Sequence, residues 1–258
     1  MVSKWCGYDY SPAFLAVLGI AVWLIYTLDH LLDARRLGET ASTPRHKFHH
    51  RYFRQVSWVW GILALLECIL VFWQLETMAI WFGLVMGGIT LLHLALVKVV
   101  GDRTSPLLIK ESGVAFVYAA GVWGLPILIT GAWERLETDL LFFQFLLLAL
   151  INLLLFSYFE LETDEKDKQT SFVRAIGERK SVWFIGLLLL LMPLTEIISF
   201  LWVSDWSSGL WVRGILWGMW LILAALWAFP KWFSNYERYR TWGDGAFLLP
   251  ILSLLWEV

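Results

Sequence analysis

WLIYTLDHLLDARR, residues 23–36, is the end of an apolar helix that carries two acids out of its apolar run and then turns basic. Asp29 and Asp33 are four residues apart, so on a helix both carboxylates project from one face. They stand at the C-terminal end, where the helix dipole disfavours negative charge. Local helix chemistry therefore gives no reason for them, and a cationic partner is expected opposite. A divalent metal is the leading candidate.

Upstream and downstream, apolar runs of about 20 residues recur along the 258-residue chain, which is 59% hydrophobic and holds 18 tryptophans. Soluble domains average about 45–50% apolar. Runs of that length are what a helix needs to cross a bilayer, so the expected fold is all-α, a polytopic membrane helical bundle forming one integral membrane domain over 1–258. Eight spans are expected, at about 11–33, 54–74, 77–99, 107–130, 138–160, 182–203, 208–230 and 244–257. MVSKWCGYDYSP, at the start, lacks a signal-peptide cleavage pattern, so the first run is expected to persist as a helix. Cys6 and Cys68 are too few and too far apart for a disulfide framework or a paired-cysteine metal site, and read as packing residues.

Eight spans put both ends of the chain on one side, and the basic residues agree. Of 20 Lys and Arg, all but Lys4, Arg135 and Arg213 fall on the side of the loops at 34–53, 100–106, 161–181 and 231–243. By the positive-inside rule those loops are cytoplasmic and both termini are outside; in a bacterium the membrane would be the inner one. Trp5, Trp73, Trp133, Trp202, Trp206 and Trp242 lie near span ends, as an interfacial belt does. The bilayer is the partner this pattern asks for, not a nucleic acid.

The fifth span ends in FSYFELETDEKDK, where Glu160 and Asp164 repeat the four-residue spacing, with Glu162 and Asp167 nearby. Tyr158 precedes Glu160 much as Tyr26 precedes Asp29. Both stretches close odd-numbered spans and open basic loops, a weak internal repeat of one helix–acid–loop unit. Two acid pairs at matched spacing suit Mg²⁺, which prefers oxygen ligands and shares its shell with substrate phosphates. Arg35, Arg36, Arg45, Lys47, Arg51 and Lys168 suit the phosphate oxygens. Acids for metal and cations for phosphate beside an apolar bundle point to a lipid-tailed diphosphate, against the alternative of a solvated rim whose charges merely pair. His46, His49 and His50, in a run dense with Arg and Lys and free of Cys, read as phosphate or headgroup contacts rather than a zinc site.

Lys110 lies just inside an apolar stretch, where an ionisable group is costly and has a partner; Glu111 and a diphosphate are the two alternatives. Gly113, Ala115, Ala119, Ala120 and Gly121 form a small-residue face for close helix packing. Tyr118, two turns beyond Lys110, is a cavity-lining candidate. Asn152 stands two turns before Glu160 on a compatible face, as a support for the second acid pair. Glu67, His93, Glu196 and Arg213 are scattered over separate spans with no pathway apparent between them, which ranks transport low.

Together these features resemble the UbiA superfamily of intramembrane prenyltransferases, an all-helical family of typically nine helices with two acidic motifs at cytoplasmic-side loops. The resemblance runs from the first span to the seventh. Asp29-x-x-x-Asp33 resembles the last two acids of the first motif. Glu160-x-x-x-Asp164 resembles the second acidic pair, with Ser171 near that motif's trailing serine. PLLIKESGVAFVYAAG resembles the stretch after the fourth family helix, through Pro106, Lys110 and Gly121. A missing first family helix would account for eight spans and an outside N-terminus. The chain departs from the pattern in having Ile25 and Tyr26 where the first motif begins Asn-Asp, Thr43-Pro44-Arg45-His46 in place of an Arg-Pro stretch, and Glu in place of the second motif's opening Asp.

The resemblance implies an enzyme in which Asp29, Asp33, Glu160 and Asp164 hold Mg²⁺ on an isoprenyl diphosphate. In that reading Lys110, Arg35 and Arg45 neutralise the leaving pyrophosphate. The bundle sheathes the prenyl tail, and an acceptor that no residue identifies attacks the allylic carbon. A terpene cyclase of the same superfamily and a non-catalytic lipid-binding or assembly protein are the alternatives.

Overall fold

Ser11 and Pro12 start the first long helix. The Ser11 hydroxyl accepts the Phe14 backbone N–H at 3.1 Å and Pro12 takes the first helical position, where its missing N–H costs nothing. The helix, α2, runs Pro12–Leu37 and stops at Gly38, whose φ of +56° ends the right-handed path. The short α1, Val2–Cys6, precedes it. A computed structural model describes residues 1–38, 44–100, 109–167, 170–203 and 209–255. The other helices are α3 Pro44–Arg51, α4 Phe53–Gln74, α5 Thr77–Val100, α6 Ile109–Thr130, α7 Leu136–Phe159, α8 Leu161–Lys166, α9 Phe172–Ile176, α10 Glu178–Trp202, α11 Leu210–Ala228, α12 Pro230–Ser234 and α13 Arg238–Ala246. A 3₁₀ segment covers Leu249–Leu255.

Every regular element among the described residues is helical, and seven of the helices (α2, α4, α5, α6, α7, α10 and α11) are long and apolar enough to cross a membrane. The protein is an all-α polytopic bundle and an integral membrane protein.

The chain divides into two compact units: Met1–Tyr8 with Ala95–Leu161 and Thr170–Val258, and Asp9–Leu94 with Glu162–Gln169. In the first, α7 is the axis. It packs against α6, α10, α11 and α13, and Leu141, Phe145, Leu148, Ile151 and Leu155 are buried at helical spacing. A helix this apolar all round is a core helix. Pro126 lies inside α6 and Pro193 inside α10; the Leu189 carbonyl, which Pro193 leaves without its helical donor, accepts the Trp220 indole N–H at 2.9 Å. In the second unit α2 packs against α4. Its buried residues Val17, Leu24 and Leu31 recur every seven positions, and the Trp60 indole N–H donates to the Leu24 carbonyl at 2.9 Å.

The expected span at 244–257 is not one α-helix. Gly243 and Gly245 weaken α13, and Pro250 has no N–H to continue it, so the chain passes from α13 into the 3₁₀ segment. From Arg238 onward the segment nevertheless packs along the first unit. Arg240 meets Glu160 at the end of α7, Gly243 lies against Asn152, Phe247 against Phe145, Leu249 against Gly218, and Ser253 reaches Met1. The Met1 ammonium donates to Ser253 Oγ at 2.6 Å, so residues near both ends of the chain meet at one end of the unit.

Candidate functional site

Asp29 and Asp33 stand one turn apart near the end of α2, both half-buried. Arg36 Nη2 is 3.9 Å from Asp33, a loose pair on a helix surface. Arg35, Arg36 and Lys47 are exposed, as is Tyr26, whose ring meets the His30 ring edge-on at 4.2 Å. His30 is buried and its ring centroid lies 5.0 Å from that of His49.

The second acidic stretch is cut in two. α7 ends at Glu160, which caps it with φ −93° and ψ 5°, and Asp164 belongs to the separate α8. The pair therefore does not share one helix face. Glu160 is bonded instead to Arg240 at 2.8 Å, with Glu237 also at 3.3 Å from that guanidinium. Asp164 and Asp167 are buried, and their segment falls in the same compact unit as Asp29 and Asp33. Asp29, Asp33, Asp164 and Asp167 thus belong to one unit, and Glu160 belongs to the other. Among the described residues no three of His, Cys, Asp and Glu stand close enough together to hold a metal by themselves.

Lys110 is exposed, with Nζ 3.5 Å from the Thr170 carbonyl. Its neighbour Glu111 is buried and accepts the Phe172 N–H at 2.9 Å, and the Ser157 hydroxyl accepts that of Val173 at 3.3 Å; together they satisfy the first donors of α9. Tyr118 stacks on Phe145 at 5.7 Å and meets Phe247 edge-on at 5.6 Å, so aromatic packing fixes it. Tyr158 donates to Glu178 at 3.4 Å. Asn152 does not reach the acids: its buried Oδ1 has no hydrogen-bond partner and lies beside Gly243 of α13. Lys168 and Pro106 lie outside the described residues, and of Arg45 only the backbone, in α3, is described.

Two groups that appeared scattered in sequence meet. Arg213, 2% exposed, donates through Nη1 to Glu196 at 2.9 Å and through Nη2 to Glu137 at 2.6 Å. Gln144 donates to Glu196 Oε2 at 2.9 Å and to Thr195 Oγ1 at 3.1 Å. α7, α10 and α11 are thereby tied by one guanidinium. The available signal was charge balance: an arginine inside an apolar run requires acids on the helices around it, and Glu137 opens α7. Arg240, the partner of Glu160, was hidden among the loop cations.

At the end carrying Met1, burial pushes the Cys6 thiol up from its ordinary value near 9 to about 11, against the opposing pull of Arg135. Burial, then the Lys4 charge, lowers the Met1 ammonium.

These elements define an integral membrane protein of the all-α helical class, with an acid-rich helix end in one unit and a buried ion network in the other. No family model, no curated protein and no solved structure matches the chain.

Proposed function

We propose that this protein is a Mg²⁺-dependent intramembrane prenyltransferase-like enzyme of UbiA type acting on an isoprenyl diphosphate. The observation that carries the reading is the grouping of buried Asp164 and Asp167 in one compact unit with Asp29 and Asp33. Buried carboxylates require cationic or hydrogen-bonding partners, and in this reading a metal is one of them.

The donor set fits magnesium. It consists of carboxylate oxygens, and it is not gathered into a closed cage. Mg²⁺ is ordinarily held by one or two carboxylates and completes its shell with water and substrate phosphates. Asp29, Asp33 and Asp164 are assigned as the residues that would hold it. Glu160, taken up by Arg240, is assigned to positioning the end of α7. The metal would supply charge neutralisation on the diphosphate. Arg35, Arg36, Arg45, Lys47 and Lys168 offer further donors to phosphate oxygens. The apolar bundle receives the isoprenoid tail. In this account the acid end faces the cytoplasm and both termini lie outside.

The test is product analysis. Purified protein is given geranylgeranyl diphosphate and Mg²⁺, and pyrophosphate release is followed with and without a membrane-lipid extract as a source of acceptor. Release that depends on the extract supports a transferase. Release without it, yielding a cyclised hydrocarbon, supports the cyclase reading. No release under either condition contradicts the enzyme.

A further inference from the structure

Among the described residues, the only non-glycine positions with positive φ are consecutive: Tyr236 at 56° and Glu237 at 52°. Side chains rarely adopt this region, and strain of this kind persists where the surroundings impose it, often at a binding site. The double left-handed turn joins α12 to α13. It throws Tyr236 outward, leaving it 92% exposed, and brings Arg238 back beneath it. The Arg238 guanidinium lies 4.5 Å from the Trp232 ring centroid and 5.7 Å from that of Tyr236.

A guanidinium held by ring faces keeps its in-plane N–H donors free for a planar or tetrahedral oxyanion. The segment 229–242 holds Lys231, Arg238 and Arg240 against the single acid Glu237. Arg240 is occupied, by Glu160 and Glu237 together, which also draws the Glu237 carboxylate towards Arg240. Arg238 has no ion pair among the described residues, and Lys231, adjacent in sequence to Trp232, is exposed. The position is interfacial. The α11 span ends at Ala228, and the exposed Phe229, Trp232 and Trp242 surround the turn as aromatic anchors do at headgroup level.

We propose that the α12–α13 turn is a binding site for the phosphate of an anionic phospholipid. Arg238 is its recognition group, Trp232 and Tyr236 are the faces that hold the guanidinium edge-outward, and Lys231 is the second charge. The aromatic rings and Phe229 seat the glycerol and upper acyl region. A free phosphate has no use for that apolar rim, so a lipid is the occupant the surface fits. None of these residues belongs to the acid set assigned to Mg²⁺, and the proposal stands without that reading.

The experiment is native mass spectrometry of the full chain in detergent with equimolar phosphatidylglycerol and phosphatidylcholine. The wild type is expected to retain phosphatidylglycerol preferentially. Arg238→Gln is expected to cut that preference about fivefold, as loss of one interfacial cation should. Arg238→Lys should restore part of it. Trp232→Leu, which removes one supporting ring, should lower it in the same direction and serves if Arg238→Gln does not fold. No preference in the wild type, or an unchanged preference in Arg238→Gln, overturns the site. Displacement of the lipid by inorganic phosphate at equal concentration overturns the lipid as occupant.

Discussion

Arg213 Nη2 stands 2.6 Å from Glu137 Oε1, joining the start of α11 to the first turn of α7 across 76 residues of sequence. With Glu196 on the other fork of the same guanidinium, this is the polar tie of a bundle held otherwise by apolar contact. Between helices in a bilayer there is little hydrophobic driving force, so packing and interhelical polar bonds carry the association. Gly209 sits so close that a Cβ there would lie 2.7 Å from Glu137 Oε1.

Removing the guanidinium leaves two buried carboxylates without it. Arg213→Ala is expected to destabilise the protein by ~3–5 kcal/mol, read as a lower midpoint in detergent thermal unfolding. Glu196→Gln, which keeps the shape and one acceptor, should cost clearly less. Equal effects would mean that losing the Glu196 charge alone costs as much as losing the guanidinium, against a network shared with Glu137.

The packing of α13 against α7 depends on close approach at one position. A Cβ on Gly243 would meet Asn152 Oδ1 and Phe156 Cε1, each at 2.6 Å, whereas one on Gly245 meets nothing within 4 Å. Gly243→Ala should therefore cost ~1–3 kcal/mol through overpacking. Gly245→Ala should be neutral or stabilising by ~0.5–1 kcal/mol from helix propensity. Thermal unfolding of the two variants side by side checks this, and equal midpoints would contradict the close packing at Gly243.

The spans themselves were legible because their signal is local. Twenty apolar residues announce a helix, and Ser11-Pro12 announces where one begins. The last stretch, expected as a span, is instead α13 followed by a 3₁₀ segment, because Pro250 stops an α-helix. Glu160 is a case of a different kind. Its spacing to Asp164 matched that of Asp29 to Asp33, but the helix breaks between them, and Arg240 arrives from 80 residues away. Glu196 and Arg213 looked scattered because an interhelical ion pair has no sequence period. Partners brought together by packing are visible only once the packing is.

The Cys6 thiol, pushed up to about 11 by burial, makes a pH prediction. Its folded value lies above that of an unfolded thiol, about 8.5. The neutral thiol's contribution to stability is thus fully present below about pH 8.5 and is lost as pH rises towards 11. Alkylation of Cys6 by iodoacetamide at pH 9 should be slow in the folded protein and rapid after unfolding, followed by mass spectrometry of the N-terminal peptide. Rapid alkylation of the folded protein would contradict the buried thiol.

The central claim is that the carboxylates grouped with α2 hold a metal on a diphosphate, whereas Glu160 does not. The direct measurement is binding of geranylgeranyl diphosphate to purified protein, with and without Mg²⁺, for the wild type, the Asp29→Ala/Asp164→Ala double variant and Glu160→Gln. The account predicts Mg²⁺-dependent binding by the wild type, its loss in the double variant, and an affinity within a few-fold of the wild type for Glu160→Gln. Binding that is absent, that ignores Mg²⁺, or that survives in the double variant would contradict it and leave those acids as a charged rim on a membrane bundle.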